Sequence, residues 1–141
     1  MRQSIRLRER TAGEGESLGK NRILIVEDEP NIVESLSYIL RRADFDVAIA
    51  ANGLEALERL RRTKFSAVIL DVMMPGMNGF DVLREVRADR KLSDLPVIIL
   101  TAKGQSRDRQ TASEAGATEF ITKPFSNADI ITCLRQVTGT G

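Results

Sequence analysis

Polar side chains that could do chemistry stand directly after four of the short apolar runs in the sequence. They are three carboxylates, a hydroxyl and an ammonium group, on Glu27, Asp28, Asp71, Thr101 and Lys123. Ionised carboxylates that lie close together repel one another and need a cation. Oxygen ligands favour a hard ion such as Mg²⁺, which binds one or two carboxylates directly and keeps some of its waters. A carboxylate, a metal ion, an ammonium group and a hydroxyl in one place are typical of phosphoryl transfer with aspartate as the acceptor.

The elements that must bring these groups together are strands alternating with helices. Short apolar runs predict five strands, at residues 23–26, 47–49, 67–70, 97–100 and 119–121. A segment of helical pattern follows each of them, which predicts parallel strands covered by helices on both faces, a doubly wound α/β fold. The carboxyl ends of parallel strands share one edge of the sheet, where ligands bind. We therefore expect the polar side chains to meet at that edge.

The predicted helices differ in how clearly the sequence marks them. Asn52 and Ser126 stand where their side chains can cap the second and fifth helices. The fourth helix, predicted over residues 103–115, has only alanines on its apolar side. The sequence therefore predicts a fourth helix that is polar, with a thin apolar face.

Composition narrows the classes of function. The 141 residues suit one domain, and a formal net charge of +1 gives no sign of a general nucleic-acid or membrane-surface binder. The single cysteine, Cys133, allows no disulfide within the chain, which fits a reducing compartment. No apolar run approaches the roughly 20 residues that span a bilayer, and the first residues lack the apolar centre of a signal peptide. We therefore expect a cytoplasmic protein with no membrane contact.

The regular pattern begins only after about 20 residues. Residues 1–20 combine scattered arginines with Gly, Glu and Ser and have no sustained apolar face. We expect a flexible N-terminal tail there, either solvated or acting as a basic contact arm. Residues 21–138 then form the predicted domain, and residues 139–141 form a short C-terminal tail.

Four segments in order carry a family resemblance. They are residues 25–30 (IVEDEP), 70–79 (LDVMMPGMNG), 100–102 (LTA) and 123–125 (KPF), each at the end of a predicted strand. Together they resemble the response-regulator receiver domains of two-component signalling. The resemblance extends from residue 21 to about residue 137. It implies a flavodoxin-like fold, with five strands in the order 2-1-3-4-5 and five helices.

The resemblance also implies where the phosphoryl group and the metal bind. It makes Asp71 the phosphoacceptor. Asp28, Asp71 and the backbone carbonyl of Met73 would bind Mg²⁺ directly, and Glu27 would do so mainly through water.

The remaining motif residues would respond to the phosphoryl group. By resemblance, Lys123 pairs with the acceptor carboxylate and then with the phosphoryl group. Thr101 is drawn toward the attached phosphoryl group, and Phe120 is the switch aromatic that turns inward when the threonine moves. The bond between Lys123 and Pro124 is expected to be cis, a conformation that X–Pro bonds adopt more readily than others.

Partners follow from the same resemblance. The sequence contains no histidine, so the phosphohistidine donor must lie on another protein, a sensor histidine kinase or a histidine phosphotransfer protein. The chain would catalyse its own phosphorylation and dephosphorylation, with no separate substrate. Its output would be protein–protein signalling to an unknown downstream protein through the fourth helix, fifth strand and fifth helix. We expect no direct contact with nucleic acid.

Three other functions are weighed beside a receiver that acts alone. The chain could be the receiver fragment of a longer DNA-binding transcriptional regulator. It could be a small phosphatase with an aspartate nucleophile, but such enzymes usually carry a second aspartate two residues later, where this chain has Met73. It could bind flavin on the same fold, but one Tyr and no Trp leave few aromatic residues to enclose the ring.

One subfamily of these regulators, the winged-helix transcription regulators, dimerises through charged pairs on the output face. Arg109 and Asp129 match one such pair. Thr118 and Cys133 stand where charged partners are expected, so most of the pattern is missing. We therefore expect a monomer or a weak dimer that depends on phosphorylation.

Overall fold

The computed structural model describes residues 21–102 and 106–139. Its strands are β1 (Arg22–Val26), β2 (Asp46–Ala50), β3 (Ala67–Asp71), β4 (Val97–Ala102) and β5 (Glu119–Lys123). Its helices are α1 (Pro30–Arg42), α2 (Gly53–Arg62), α3 (Gly79–Ala88), α4 (Ser106–Ala115) and α5 (Asn127–Thr138). Strands and helices alternate throughout. The tail predicted over residues 1–20 and the last two residues of the predicted C-terminal tail lie outside the described residues.

The five strands form one parallel sheet in the order β2-β1-β3-β4-β5. This confirms the predicted doubly wound α/β fold and its strand order. Residues 23–26 of β1, 67–70 of β3 and 97–100 of β4 are fully buried. Continuous apolar runs are what a strand needs when helices cover both faces of a parallel sheet. The central strands therefore form a fixed base for the polar side chains at their carboxyl ends.

Two apolar layers fill the space between the sheet and its helices. On one face, Leu57 of α2 and Leu83 of α3 pack with the side chains of β3. On the other face, Leu40 of α1 and Leu134 of α5 pack in the same way. Asn52 and Ser126 accept hydrogen bonds from amides in the first turns of α2 and α5, as expected of caps. None of the described helices is long and apolar enough to cross a bilayer.

Helix α4 is the exception to this pattern of deep burial. Of its described side chains, only Ala112 is buried. The thin apolar side expected from the sequence is confirmed, although the helix is described only from Ser106 and residues 103–105 lie outside the described part. Burial of a methyl group removes little apolar surface from water, so α4 depends more than the other helices on polar contacts.

All five strands are longer than the runs that predict them, and three of them extend through a polar residue of the predicted site at the carboxyl end. Asp71 pairs with Leu100 in the ladder between β3 and β4, and Thr101 pairs with Thr122 between β4 and β5. Lys123 ends β5 opposite Ala102. Backbone pairing does not depend on side-chain polarity, so these polar residues belong to the strands instead of following them. Their positions are therefore fixed by the sheet itself.

Candidate functional site

Three carboxylates meet at the carboxyl edge of the sheet. Glu27 follows β1 and Asp71 ends the neighbouring strand β3. Glu27 and Asp71 are buried, with 2% and 3% of their surfaces exposed, and Asp28 is exposed. One oxygen from each of the three carboxylates lies within 4.8 Å of the others. The predicted acidic cluster is therefore present, with two of its carboxylates buried and one exposed to solvent.

Lys123 reaches this cluster from the edge strand β5. Its Nζ donates a 2.8 Å hydrogen bond to Oδ1 of Asp71 and lies 3.5 Å from Oε1 of Glu27. The bond between Lys123 and Pro124 is cis. Burial lowers the pKa of Lys123, but the hydrogen bond and the negative charges of Asp71 and Glu27 outweigh it, so the pKa is raised overall. The side chain is therefore a charged ammonium at neutral pH.

One ammonium does not balance the negative charge of the cluster. Burial, and after it the charge of Asp71, raises the pKa of Glu27 to about 7. Its Oε2 accepts a 3.2 Å hydrogen bond from the amide of Glu29. Its Oε1 is buried and accepts no hydrogen bond from the described residues, although Nζ of Lys123 lies 3.5 Å away. A buried carboxylate oxygen without a hydrogen bond is costly, and oxygen donors of this kind suit Mg²⁺, so these residues fit a divalent cation.

Thr101 is occupied by a contact that the sequence does not predict. The residue is buried, with 2% of its surface exposed. Its hydroxyl donates a 2.5 Å hydrogen bond to Oδ2 of Asp108, in the first turn of α4. The only sequence signal for Asp108 is an acidic residue near a helix start, a position common for reasons of helix stability alone.

Phe120 is also held by α4. The ring is half-buried on β5, and the guanidinium carbon of Arg109 lies 4.5 Å from its centroid. This distance is within the range of a cation–π interaction. The sequence offers Arg109 only as a member of a charged pair between subunits, whereas in this structure it covers the predicted switch aromatic.

The loop after Asp71 combines an open and a closed part. Met73 has 74% of its surface exposed, whereas Met74 is buried. The loop returns to the sheet at Gly79, where an added Cβ would lie 2.5 Å from the carbonyl oxygen of Asp71. Only a glycine lets α3 begin so close to the backbone of Asp71. The motif LDVMMPGMNG thus contains a glycine that packing requires, Gly79, as well as the carboxylate of Asp71.

Comparison with known proteins extends this description. The family model described as the response regulator receiver domain matches residues 23–135. The chain is 40% identical over 116 residues to the DNA-binding response regulator MtrA of Mycolicibacterium smegmatis, covering 82% of this chain and 50% of that protein. It is 40% identical over 117 residues to the transcriptional regulatory protein CpxR homolog of Haemophilus influenzae, covering 83% and 50%. The chain spans about half the length of these curated relatives.

Solved structures agree with the sequence relatives. The chemotaxis protein CheY4 of Vibrio cholerae superposes with a TM-score of 0.79 at 31% identity, covering 84% of this chain and 99% of that one. The receiver domain of the sensor histidine kinase PA1611 from Pseudomonas aeruginosa PAO1 has a TM-score of 0.80 at 30% identity, covering 86% and 99%. That structure holds a magnesium ion in its active-site cleft. By sequence, by fold and by the groups gathered at the edge of its sheet, this chain belongs to the response-regulator receiver domain family.

Proposed function

We propose that Asp71 accepts a phosphoryl group from a phosphohistidine on a sensor histidine kinase or a histidine phosphotransfer protein. The observation that carries the proposal is the hydrogen bond from Lys123 to Asp71 within a cluster of three carboxylates. The bond orients the carboxylate and offsets the charge that a phosphate would add. A receiver role at this position also agrees with the family of the chain.

The transfer exchanges one bond to phosphorus for another. A carboxylate oxygen of Asp71 attacks the phosphorus, and the new P–O bond forms as the P–N bond to the donor imidazole breaks. The electron pair of the broken bond stays on the ring nitrogen, which then takes up a proton. Lys123 remains beside the acceptor, where its ammonium stabilises negative charge on the phosphoryl oxygens. Attack by water on the phosphorus of the acyl phosphate later releases inorganic phosphate and restores Asp71.

Residues of the acidic cluster would hold Mg²⁺ in this reaction. Asp28, Asp71 and the backbone carbonyl of Met73 are the proposed direct ligands, with Glu27 acting through water. Two observations support this assignment: Oε1 of Glu27 accepts no hydrogen bond from the described residues, and the cluster has three carboxylates beside the one ammonium of Lys123. A bound Mg²⁺ would neutralise charge on the transferring phosphoryl group.

Thr101 and Phe120 would convert the chemistry into a signal. We propose that the Thr101 hydroxyl donates to a phosphoryl oxygen once Asp71 is modified, and that Phe120 turns inward with it. The change would alter the surface formed by α4, β5 and α5, where a downstream protein in the cytoplasm binds. The hydroxyl and the ring both lie against α4 in the present structure, which supports a link between the site and that surface.

The test uses acetyl phosphate as the donor and intact mass as the readout. The wild-type protein with Mg²⁺ should gain one phosphoryl group, with acetate as the leaving group. Asp71→Asn should gain none while remaining folded by circular dichroism, and EDTA should prevent the adduct in the wild type. An adduct at the wild-type level in Asp71→Asn would contradict the assignment of the acceptor.

A second candidate for the output is control of transcription. The relatives named above are a DNA-binding response regulator and a transcriptional regulatory protein, and the chain matches half of each. Such a protein would contact DNA through a part outside the matched half.

Self-association is a separate question. Cys133 is buried and the Thr118 hydroxyl accepts a hydrogen bond from the amide of Val97, so neither offers a charged contact to a second copy. Light scattering should therefore show a monomer, or a weak dimer only when beryllofluoride and Mg²⁺ are present.

A further inference from the structure

The hydroxyl of Thr101 has only one proton to donate. A threonine hydroxyl is a single donor with two acceptor lone pairs, and in this structure its proton goes to Asp108. A phosphoryl oxygen is purely an acceptor, so it needs the same proton. The two hydrogen bonds are therefore mutually exclusive, and phosphorylation must compete with the carboxylate of Asp108.

The carboxylate of Asp108 is a strong competitor of a phosphoryl oxygen for the Thr101 hydroxyl. Hydrogen bonds from a hydroxyl to an ionised carboxylate are short and about twice as strong as neutral ones. Thr101 is buried and Asp108 is half-buried, so water screens the contact less than it would at the surface. The arrangement with Thr101 turned toward α4 is thus stabilised before any phosphoryl group arrives.

The neighbouring residue adds a second contact on the same helical turn. Arg109 lies over the ring of Phe120, which would also have to leave its present position in the proposed switch. Both predicted switch residues are therefore bound by consecutive residues of α4. Ala112 is the only buried side chain among those described in α4, and Ala115 is half-buried against the same core. The two contacts therefore add to a thin apolar attachment.

We propose that Asp108 is a positioning residue that withholds the Thr101 hydroxyl from the phosphoryl group, so that phosphorylation breaks the Thr101–Asp108 hydrogen bond and frees the first turn of α4. The inference rests on the proposed function of Asp71 and specifies which contact opposes activation. The cation–π contact of Arg109 acts in parallel, because it holds Phe120 in the arrangement that accompanies the Thr101–Asp108 bond.

Beryllofluoride affinity tests the proposal, because this ion stands in for a phosphoryl group on an aspartate. Titrations followed by ¹⁹F NMR with saturating Mg²⁺ would compare wild type with Asp108→Ala and Asp108→Asn. Removing the competing acceptor should tighten apparent binding by roughly tenfold in Asp108→Ala, since affinity scales with the fraction of protein in the competent state. Asp108→Asn keeps an acceptor oxygen without the charge, so its gain should be smaller, and its similar shape guards against a folding defect.

A double-mutant cycle separates this role from simple charge removal. In the Thr101→Ala background there is no hydroxyl to release, so Asp108→Ala should change the affinity by less than about twofold. Equal tightening in both backgrounds would mean that the lost negative charge acts directly on the anion, and would overturn the proposal. Glu114→Ala, which removes an exposed carboxylate bonded to Gln110 on the same helix, should leave the wild-type affinity unchanged.

The outcomes also distinguish this inference from the proposed function. Binding to wild type with no gain in Asp108→Ala would overturn the role of Asp108 and leave Asp71 as the acceptor. Absence of binding to wild type as well would contradict the receiver reaction at Asp71, and the role of Asp108 with it.

Discussion

Helices α3 and α4 follow neighbouring strands at the same edge of the sheet, yet they are attached to it in different ways. Helix α3 begins with a capping box between Asn78 and Asp81 and buries four large side chains, Phe80, Val82, Leu83 and Val86. Helix α4 buries only Ala112 among its described side chains and packs the half-buried Ala115 against the same core. Asp108 and Arg109 add a hydrogen bond and a cation–π contact. One helix is anchored by large apolar side chains, and the other by small ones together with polar contacts.

This difference predicts that α3 is a fixed part of the site and that α4 is its movable part. Each large buried side chain contributes about 1.5–3 kcal/mol, and that contribution is lost only by exposing the core. A hydrogen bond to a charged group contributes about 1.5–3 kcal/mol, and it can be exchanged for another acceptor of similar strength. The anchored helix therefore keeps the Asp71 loop in place, while the polar contacts would let α4 move when Asp71 is phosphorylated as proposed.

The largest expected effect is a loss of stability when a core side chain of α3 is truncated. Leu83→Ala should lower the free energy of unfolding by about 3 kcal/mol, because it leaves a cavity in a fully buried position. Ala112→Gly on α4 should cost roughly 1 kcal/mol, mostly through helix propensity. Urea denaturation measures both, and the exposed Arg84→Ala is the control, expected within about 0.5 kcal/mol of wild type. Equal costs for Leu83→Ala and Ala112→Gly would refute the comparison.

Gly79→Ala should disturb the junction between α3 and the acceptor. The new Cβ would meet the carbonyl oxygen of Asp71, so the backbone of the acceptor must shift, at a cost of about 1–3 kcal/mol. Labelling by acetyl phosphate should fall sharply under conditions in which the protein is still folded. Gly139→Ala is the matched control: its φ of 74° also disfavours a side chain, at about 1–2 kcal/mol, but nothing lies within 4 Å of the added atom. The control should lose stability and keep its labelling.

Lys123→Ala should leave Mg²⁺ binding intact but weaken the response of α4 to beryllofluoride. The ammonium repels cations, so its loss should leave Mg²⁺ affinity unchanged or slightly higher in an NMR titration. The shifts of α4 amide resonances on adding beryllofluoride should be strongly reduced, because the anion loses its positive partner. Lys64→Ala, far along the chain in the segment between α2 and β3, should behave as wild type. A large loss of Mg²⁺ binding in Lys123→Ala would show that the lysine organises the carboxylates themselves.

The smallest expected effect is at Cys133 on α5, which is anchored like α3. Burial, and after it the charge of Glu119, raises the pKa of this thiol to about 11. At pH 8 the thiolate fraction is then roughly a hundredfold below that of an ordinary cysteine, so alkylation by iodoacetamide should be slow in the folded protein and fast in urea. The slow rate should be the same with and without beryllofluoride. Faster alkylation of the beryllofluoride-bound protein would extend the movable part to α5.

Much of the fold follows from the sequence because buried parallel strands leave a direct trace in it. The runs before Glu27, Asp71 and Thr101 are apolar without alternation, which only strands covered on both sides require. Since strand ends share an edge, the meeting of Asp71 and Lys123 is expected from residues 52 positions apart. The strand order and the resemblance to receivers were both confirmed.

The contacts of α4 could not be predicted in the same way. A polar helix with alanines as its apolar side gives little indication of which residues face the sheet, so Asp108 did not stand out as a partner for Thr101. The sequence also could not show that Oε1 of Glu27 is buried without a hydrogen bond from the described residues, because this depends on how the side chain packs. Both features arise from the packing of elements against one another, which local sequence pattern does not encode.

The high exposure of the side chains of α4 has an evolutionary consequence. Most of its described side chains are exposed or half-buried, and substitutions at such positions usually change stability by less than about 0.5 kcal/mol. Apart from Asp108, Arg109 and the alanines that pack against the core, the described positions of this helix can take new residues without disturbing the core or the contacts of Thr101 and Phe120. If α4 belongs to the output surface as proposed, partner preference can diversify at these positions while the carboxylates at the edge of the sheet stay the same.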